Sequence, residues 1–154
     1  MIIPYLVLSP IAAAALILLG APARRTALWT SGLLVLATGL AWLGFEPGQR
    51  GYQMVTSVPV SDDWNINFTL GVDGLSLMLL VLTAVVTLAA VWFTRDVTDH
   101  RQGFYSCLLF IAGGAMGAFA SLDLFFFYAF HELALIPTFL LIGIWGSGNR
   151  QLAA

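Results

Sequence analysis

Leu124–Trp145 has the sequence LFFFYAFHELALIPTFLLIGIW, in which one side chain among 22 residues, that of Glu132, is formally charged. The hydrocarbon core of a bilayer is about 30 Å thick, and a helix needs about 20 predominantly apolar residues to cross it. We therefore expect this segment to cross a membrane as a helix, and this expectation decides the class of fold.

Four more stretches of similar length and character precede it, at residues 2–20, 26–45, 75–94 and 104–122. Together the five stretches predict an all-α membrane protein with five transmembrane helices in a single domain, residues 1–154. Only residues 46–74 are long enough to form structure outside the membrane.

The composition also predicts a chain that is embedded in a lipid bilayer. Of its 154 residues, 60% are hydrophobic and 9% are charged, whereas soluble domains have about 45–50% apolar and about 25% charged residues. The sequence has no lysine and a net charge of −2, which excludes the basic surface of a nucleic-acid-binding protein. Its single cysteine, Cys107, excludes a disulfide within the chain.

The first stretch invites comparison with a secretory signal, because the cleavage-like tripeptide at residues 21–23 follows it. A signal carries its positive charge before an apolar run of about 7–15 residues. Here Arg24 and Arg25 follow a longer run, so we expect a transmembrane helix that is retained.

The arginines predict the orientation in the membrane. With five crossings, Arg24, Arg25, Arg95, Arg101 and Arg150 fall on one side, and Arg50 falls on the other. Positive side chains concentrate on the cytoplasmic side. We therefore expect a multi-pass protein of the inner (plasma) membrane, with its N-terminus outside and its C-terminus in the cytoplasm.

The outer loop, residues 46–74, contains a strand pattern. Apolar and polar residues alternate without interruption over residues 64–73, which predicts a strand with one buried face. Residues 52–60 are its expected partner across a turn at 61–63, giving a short extracytoplasmic β-hairpin-like loop. The expected buried face consists of Trp64, Ile66, Phe68, Leu70 and Val72.

Two aspartates are placed to begin helices. Asp73 precedes the third stretch and Asp123 the fifth, and an aspartate at the N-cap accepts hydrogen bonds from free backbone N–H groups. Because Asp123 alone separates the fourth and fifth stretches, we expect these helices to form a tight antiparallel pair.

Small residues recur in the fourth stretch, at Gly113, Gly114, Gly117, Ala118 and Ser121. Spacings of four between small residues let helix backbones approach closely in a membrane. The pattern predicts a smooth face for a neighbouring helix.

Glu132 is the strongest candidate for a functional residue. It lies eight residues beyond the start of its helix, about 12 Å deep at 1.5 Å per residue. A carboxylate at this depth costs about 2.5–3.5 kcal/mol on insertion scales, and such groups face the bundle interior or water and mark ion paths. Burial favours the protonated form and a nearby cation the ionised form, so this carboxyl is suited to relaying a proton. The alternative is a protonated Glu132 that only bonds a neighbouring helix.

Pro137 and His131 flank this residue. Pro137 has no N–H, so the carbonyl of Leu133 loses its helical donor. We expect a helix break with a hydrated patch beside Glu132, the alternative being an ordinary kink. His131 lies about 100° around the helix from Glu132, and it either supports the proton path or makes a polar contact to a neighbouring helix. A zinc-protease HExxH pattern fails because residue 135 is leucine, so we expect no metal site.

A family resemblance rests on the stretch from Asp123 to Pro137, on the Ile-Gly-Ile-Trp-Gly that begins at Ile142, and on residues 70–76. These residues, the order of spans and the long outer loop resemble subunit M, an antiporter-like membrane subunit of respiratory complex I (NADH-quinone oxidoreductase). Subunits of sodium/proton antiporters and of membrane-bound hydrogenases share much of this pattern.

The resemblance implies that Glu132 is the family's essential membrane glutamate, which pairs with a buried lysine two spans later. Because this sequence stops before that lysine, the resemblance implies the N-terminal part of a longer subunit. It also implies proton translocation coupled to electron transfer from NADH to quinone, with other membrane subunits of complex I as partners. With one cysteine and no dinucleotide-binding fingerprint, we expect no cofactor in this chain. A membrane scaffold that does not transport ions is the alternative from another class.

Overall fold

A computed structural model describes residues 2–49, 51–61, 66–94, 97 and 99–146. The elements in chain order are α1 (Ile2–Leu18), α2 (Ala23–Leu43), β1 (Gln53–Ser61), β2 (Ile66–Val72), α3 (Gly74–Phe93), α4 (Arg101–Ala120) and α5 (Leu124–Trp145). The described part of the chain is therefore a helical bundle with one antiparallel hairpin.

Helix α4 is the centre of the bundle. Helices α1, α3 and α5 pack directly on it, while α2 lies against α3 and α1. In the most apolar window of α4, 61% of the residues are buried, against 11% for α5. The hairpin lies at one end of the bundle, where Leu70 and Val72 join the apolar core.

Four helices, α2 to α5, are long and apolar enough to cross a membrane, and α1 is a shorter apolar helix of 17 residues. The first stretch was expected to continue to residue 20, but α1 ends at Leu18. Gly20 has φ +110°, its N–H bonds the carbonyl of Ile17, and the N–H of Ala21 bonds the carbonyl of Leu16. These two hydrogen bonds, with the positive φ of Gly20 between them, end the helix two residues earlier than expected.

The predicted hairpin is present, with β1 running one residue later than expected. Ser57 pairs with Thr69, and Val58 pairs with Phe68. Leu70 and Val72 are fully buried, while Phe68 packs edge-on against Phe126 with ring centroids 4.9 Å apart. On the predicted apolar face Leu70 and Val72 are thus buried and Phe68 is half-buried, whereas Trp64 and the side chain of Ile66 lie outside the described residues. On the opposite face Asn67 and Thr69 are half-buried and Gly71 is buried beside Leu122, so the difference between the two faces stays a prediction.

Polar substitutions on the two faces of β2 should differ in their effect on the amount of folded protein. We expect Leu70→Ser to reduce the amount of folded protein in the membrane several-fold, because removing a buried leucine side chain costs about 2–5 kcal/mol. Asn67→Ser, on the opposite face, should change it little. Quantifying detergent-extracted, monodisperse protein would check this, and equal losses in both variants would contradict a one-sided strand.

Asp73 begins α3 as expected. Its carboxylate accepts from the backbone N–H of Ser76 at 2.8 Å, and its own N–H donates to the Ser76 hydroxyl at 2.8 Å, which completes a capping box. The Ser76 backbone N–H holds the pKa of Asp73 below its ordinary value, with the Ser76 hydroxyl contributing in the same direction. The cap is therefore ionised at neutral pH.

The connection between α4 and α5 is longer than the single residue expected. Helix α4 ends at Ala120, because Ser121 forms a bridge with Leu70 and the N–H of Leu122 bonds the carbonyl of Thr69 at 2.9 Å. These backbone groups pair with β2 instead of continuing the helix. Asp123 then caps α5 as expected, accepting from the N–H of Phe125 at 2.9 Å.

The small residues of α4 form two contact faces instead of the one expected. A Cβ atom at Gly113 would meet Ile11 of α1, whereas a Cβ atom at Gly114 would lie 2.7 Å from the carbonyl oxygen of Phe130 in α5. At Gly117 it would overlap the Phe130 ring. Because adjacent helical positions are 100° apart, one glycine-rich segment admits a neighbour on each side.

Candidate functional site

The site is built on α5, whose inner stripe packs on α4. Phe130 and Pro137 are its buried residues, and Phe130 sits over Gly114 and Gly117. Phe130 also contacts Phe68 of the hairpin, with ring centroids 6.2 Å apart. The helix is thereby fixed along one side, and its opposite side is left uncovered by the described residues.

Glu132 lies on that uncovered side. Two residues beyond Phe130 the helix has turned about 200°, so the Glu132 side chain points away from α4 and is exposed. It lines an open cavity of about 560 Å³ together with Phe125, Tyr128 and two further α5 residues, Leu124 and Ala129. Among the described residues no other helix packs on this side of α5, and the relay role predicted for Glu132 stays a prediction.

The surroundings of Glu132 are apolar. The exposed side chains on α5 include Tyr128, Leu135, Ile136 and Phe139, of which Ile136 is 63% exposed. Among the described residues, no hydrogen bond or ion pair involves the Glu132 carboxylate. The arrangement is a carboxyl group at mid-helix depth in the middle of an apolar surface.

His131 is also exposed and is placed among aromatic rings. Its ring stacks on Phe127 at 6.3 Å between centroids and lies tilted against Tyr128 at 6.2 Å. The imidazole and the Glu132 carboxylate are thus neighbours on one surface, with no recorded hydrogen bond between them within the described ranges.

Pro137 lies on the side that faces α4. Helix α5 continues through it without interruption, and the proline lines a cavity of about 350 Å³ with Ser106, Cys107 and a set of apolar side chains. Five helical positions place Pro137 about 140° from Glu132, so the structure does not bring the two side chains together. The helix is assigned continuously from Leu124 to Trp145, and the kink predicted beside Glu132 stays a prediction.

The lining of the Pro137 cavity is mostly apolar, whereas the hydrated patch was expected beside Glu132. A buried water needs about two to four polar partners, but the Ser106 hydroxyl already donates to the carbonyl of Ala14 at 3.2 Å. Pro137 thus faces α4, and the hydrated patch stays a prediction.

Two features escaped the sequence patterns. One is a groove of about 660 Å³ beside the start of α3, lined by Trp42, Phe45, Asp73 and Met78 among others. The other is a cluster of arginines at the opposite end of the bundle. Among the described residues, no group of three or more His, Cys, Asp or Glu side chains is arranged to hold a metal ion.

Comparison with known sequences gives relatives of one kind. An NAD(P)H-quinone oxidoreductase chain 4 from Synechococcus sp. (strain JA-2-3B'a(2-13)) is 38% identical over 122 residues, covering 79% of this chain and 23% of the relative. The NADH-ubiquinone oxidoreductase chain 4 of Chondrus crispus is 32% identical over 132 residues, covering 85% of this chain and 27% of the relative. The chain thus spans about a quarter of these curated relatives. No protein-family model matches it.

Comparison with solved structures gives the same kind of match. A chain of respiratory complex I from Thermus thermophilus with bound NADH superposes with a TM-score of 0.84 and 29% identity, covering 99% of this chain and 31% of that one. A chain of the archaeal membrane-bound sulfane sulfur reductase superposes with a TM-score of 0.76 at 18% identity, covering 98% and 32%. The second likeness establishes the fold alone.

Proposed function

We propose that this chain is the N-terminal portion of the subunit M (chain 4) type of membrane subunit in NADH-quinone oxidoreductase, and that the intact subunit translocates protons. The carrying observation is the Glu132 carboxyl group at mid-helix depth on an apolar surface of α5. The choice of enzyme rests on the relatives at 32–38% identity, which are chains of quinone oxidoreductases.

The free-energy cost of an ionised carboxylate at this position supports a role for Glu132 in relaying protons. Facing lipid, an ionised Glu132 would cost about 2.5–3.5 kcal/mol or more, and no described residue offers it a charge or a hydrogen bond. Burial against further protein with a cationic side chain would offset that cost, and the carboxyl would then change protonation as the cation approached or withdrew. His131, on the same surface, is the candidate for support.

The redox chemistry is assigned to partner subunits. A flavin, an iron–sulfur cluster or a nicotinamide needs either several cysteines or a glycine-rich nucleotide fold, and this sequence has one cysteine and no such glycine pattern. We propose the other membrane subunits of complex I as the partners of this subunit.

Purifying the full-length protein with an affinity tag from its native membrane tests the assignment. We expect NADH-driven quinone reduction to copurify with it. Copurification of sodium/proton exchange activity or of hydrogenase activity, without NADH oxidation, would instead support an antiporter or hydrogenase subunit. Purification of the protein alone, with none of these activities, would favour a scaffold.

The orientation is tested by cysteine labelling in a background where Cys107 is replaced by serine. We expect Asp62→Cys, in the turn that the sequence predicts, to react with a membrane-impermeant maleimide added outside the cell, because the arginine distribution predicts that this end is outside. Arg95→Cys should react only after the membrane is permeabilised. The reverse pattern would overturn the assigned orientation.

A further inference from the structure

Three arginines meet at the end of the bundle opposite the hairpin. Arg24 and Arg25 lie in the first turn of α2, and Arg101 is the first residue of α4. Arg24 and Arg101 together line two neighbouring cavities of about 370 and 320 Å³, and Arg25 lines the smaller one. Two helices that are not neighbours in sequence thus direct guanidinium groups into the same space.

The Arg24 side chain has a donor without a partner. Its Nε atom is buried and has no hydrogen bond among the described residues. Leaving a buried donor unsatisfied costs about 1–3 kcal/mol, and more for a charged group. A guanidinium presents its N–H groups as a planar fork that matches the oxygens of carboxylates and phosphates. An incompletely paired guanidinium beside a cavity is therefore suited to an anion that enters the cavity.

Two helix beginnings add to the positive potential. Pro22 and His100 occupy the N-cap positions of α2 and α4, and neither side chain caps its helix. The N–H groups of a first turn have no partner within the helix, and the helix dipole favours an anion there. Asp99, the described carboxylate beside this cluster in sequence, lines neither cavity.

The larger cavity continues onto an apolar surface. Besides Arg24 and Arg101 it is lined by Leu28, one turn further along α2, and by Trp92 near the end of α3, which is 54% exposed. Tryptophan at this depth is typical of the membrane–water interface. A ligand that fills the cavity therefore needs an anionic group at one end and hydrocarbon at the other.

We propose that Arg24 and Arg101 bind the phosphodiester headgroup of an anionic membrane lipid, whose acyl chains extend past Leu28 and Trp92. A free phosphate ion would satisfy the guanidinium groups but would leave the apolar part of the cavity unused, so the structure favours the lipid.

Native mass spectrometry of the full-length protein in its complex tests this site. The probes are phosphatidylglycerol and, as the lipid without net charge, phosphatidylcholine. We expect wild type to prefer phosphatidylglycerol, and we expect Arg24→Gln or Arg101→Gln to weaken its binding about tenfold through loss of a charge-assisted hydrogen-bonding partner. Arg24→Lys keeps the charge but loses the fork, and it should weaken binding about threefold.

Arg25→Gln is the matched control, since it removes the same charge from the same turn but touches only the smaller cavity; it should change binding less than about twofold. Equal effects of Arg24→Gln and Arg25→Gln would show nonspecific attraction and overturn the site, as would unchanged binding in Arg24→Gln and Arg101→Gln. Displacement of phosphatidylglycerol by millimolar inorganic phosphate would identify a phosphate site instead. Should Arg24→Gln fail to assemble, Arg101→Gln and Arg24→Lys decide the question.

Discussion

Glu132→Gln in the assembled complex is expected to abolish most of the coupled proton pumping, because loss of a positioned proton-transfer group costs about 10²–10⁴-fold in rate. Glutamine keeps the size of the side chain but cannot take up or release the proton. Assembly should survive, because Glu132 points away from α4 and makes none of the described packing contacts. Proton uptake into sealed vesicles, with NADH oxidation followed in parallel, measures the effect.

Two further variants locate the requirement at the carboxyl group. Glu132→Asp should retain part of the activity, because the acid survives on a shorter stem. Glu132→Ala combined with Ile136→Glu should restore some activity, since Ile136 is exposed one helical turn along the same surface. His131→Phe, which keeps an aromatic ring against Phe127, tests the supporting role of His131, and nearly normal pumping would leave His131 as a packing residue.

A normal pumping rate in an assembled Glu132→Gln complex would rule out the relay and leave Glu132 as a packing residue. A loss of the whole complex from the membrane in this variant would contradict the expectation that assembly survives and would indicate a packing role for Glu132. A strong loss in His131→Phe would extend the relay to the imidazole.

Gly114→Ala is expected to destabilise the protein by about 1–3 kcal/mol, the usual cost of forcing an extra methyl group into a packed interface. Its Cβ atom would lie 2.7 Å from the Phe130 carbonyl oxygen and 2.8 Å from the Ala134 nitrogen. Because both atoms belong to the backbone of α5, the two helices must separate to accept it. The thermal unfolding of the full-length protein in detergent, followed by exposure of Cys107 to a thiol-reactive dye, measures this cost.

Gly143→Ala is the matched control on the same pair of helices. A Cβ atom there meets nothing within 4 Å, so the substitution should be neutral or stabilising by about 0.8–1.0 kcal/mol through helix propensity. Equal destabilisation by the two variants would contradict the close packing of α4 on α5.

The α4–α5 contact permits a compensation test. At Gly117 the obstacle is the Phe130 ring, which can be removed. Phe130→Ala alone should cost about 3–5 kcal/mol through the cavity that it leaves. Gly117→Ala added to Phe130→Ala should cost less than Gly117→Ala in the wild type. Strict additivity would place Gly117 away from Phe130.

Local patterns in the sequence determined the elements of this protein. Long apolar runs predicted the helices, alternation over residues 64–73 predicted β2, and Asp73 and Asp123 predicted where α3 and α5 begin. Each of these signals arises from residues close together in the chain, through backbone hydrogen bonding and the period of the structure. The same dependence on local sequence explains the errors at element ends. Helix α4 ends at Ala120 because the next residues bond to β2, which is distant in sequence, and no local pattern indicates such a bond.

The tertiary structure alone decided which way the side chains face. Helix α5 is apolar around most of its circumference, because lipid and neighbouring helices both favour apolar side chains, so its sequence does not distinguish the side toward α4 from the side that bears Glu132. In the same way, only packing divided the glycines of α4 between two partners and brought Arg24 and Arg101 together. The direction in which a side chain faces, and the distant residues that it meets, depend on which helices pack as neighbours. The fit between helix surfaces determines that packing.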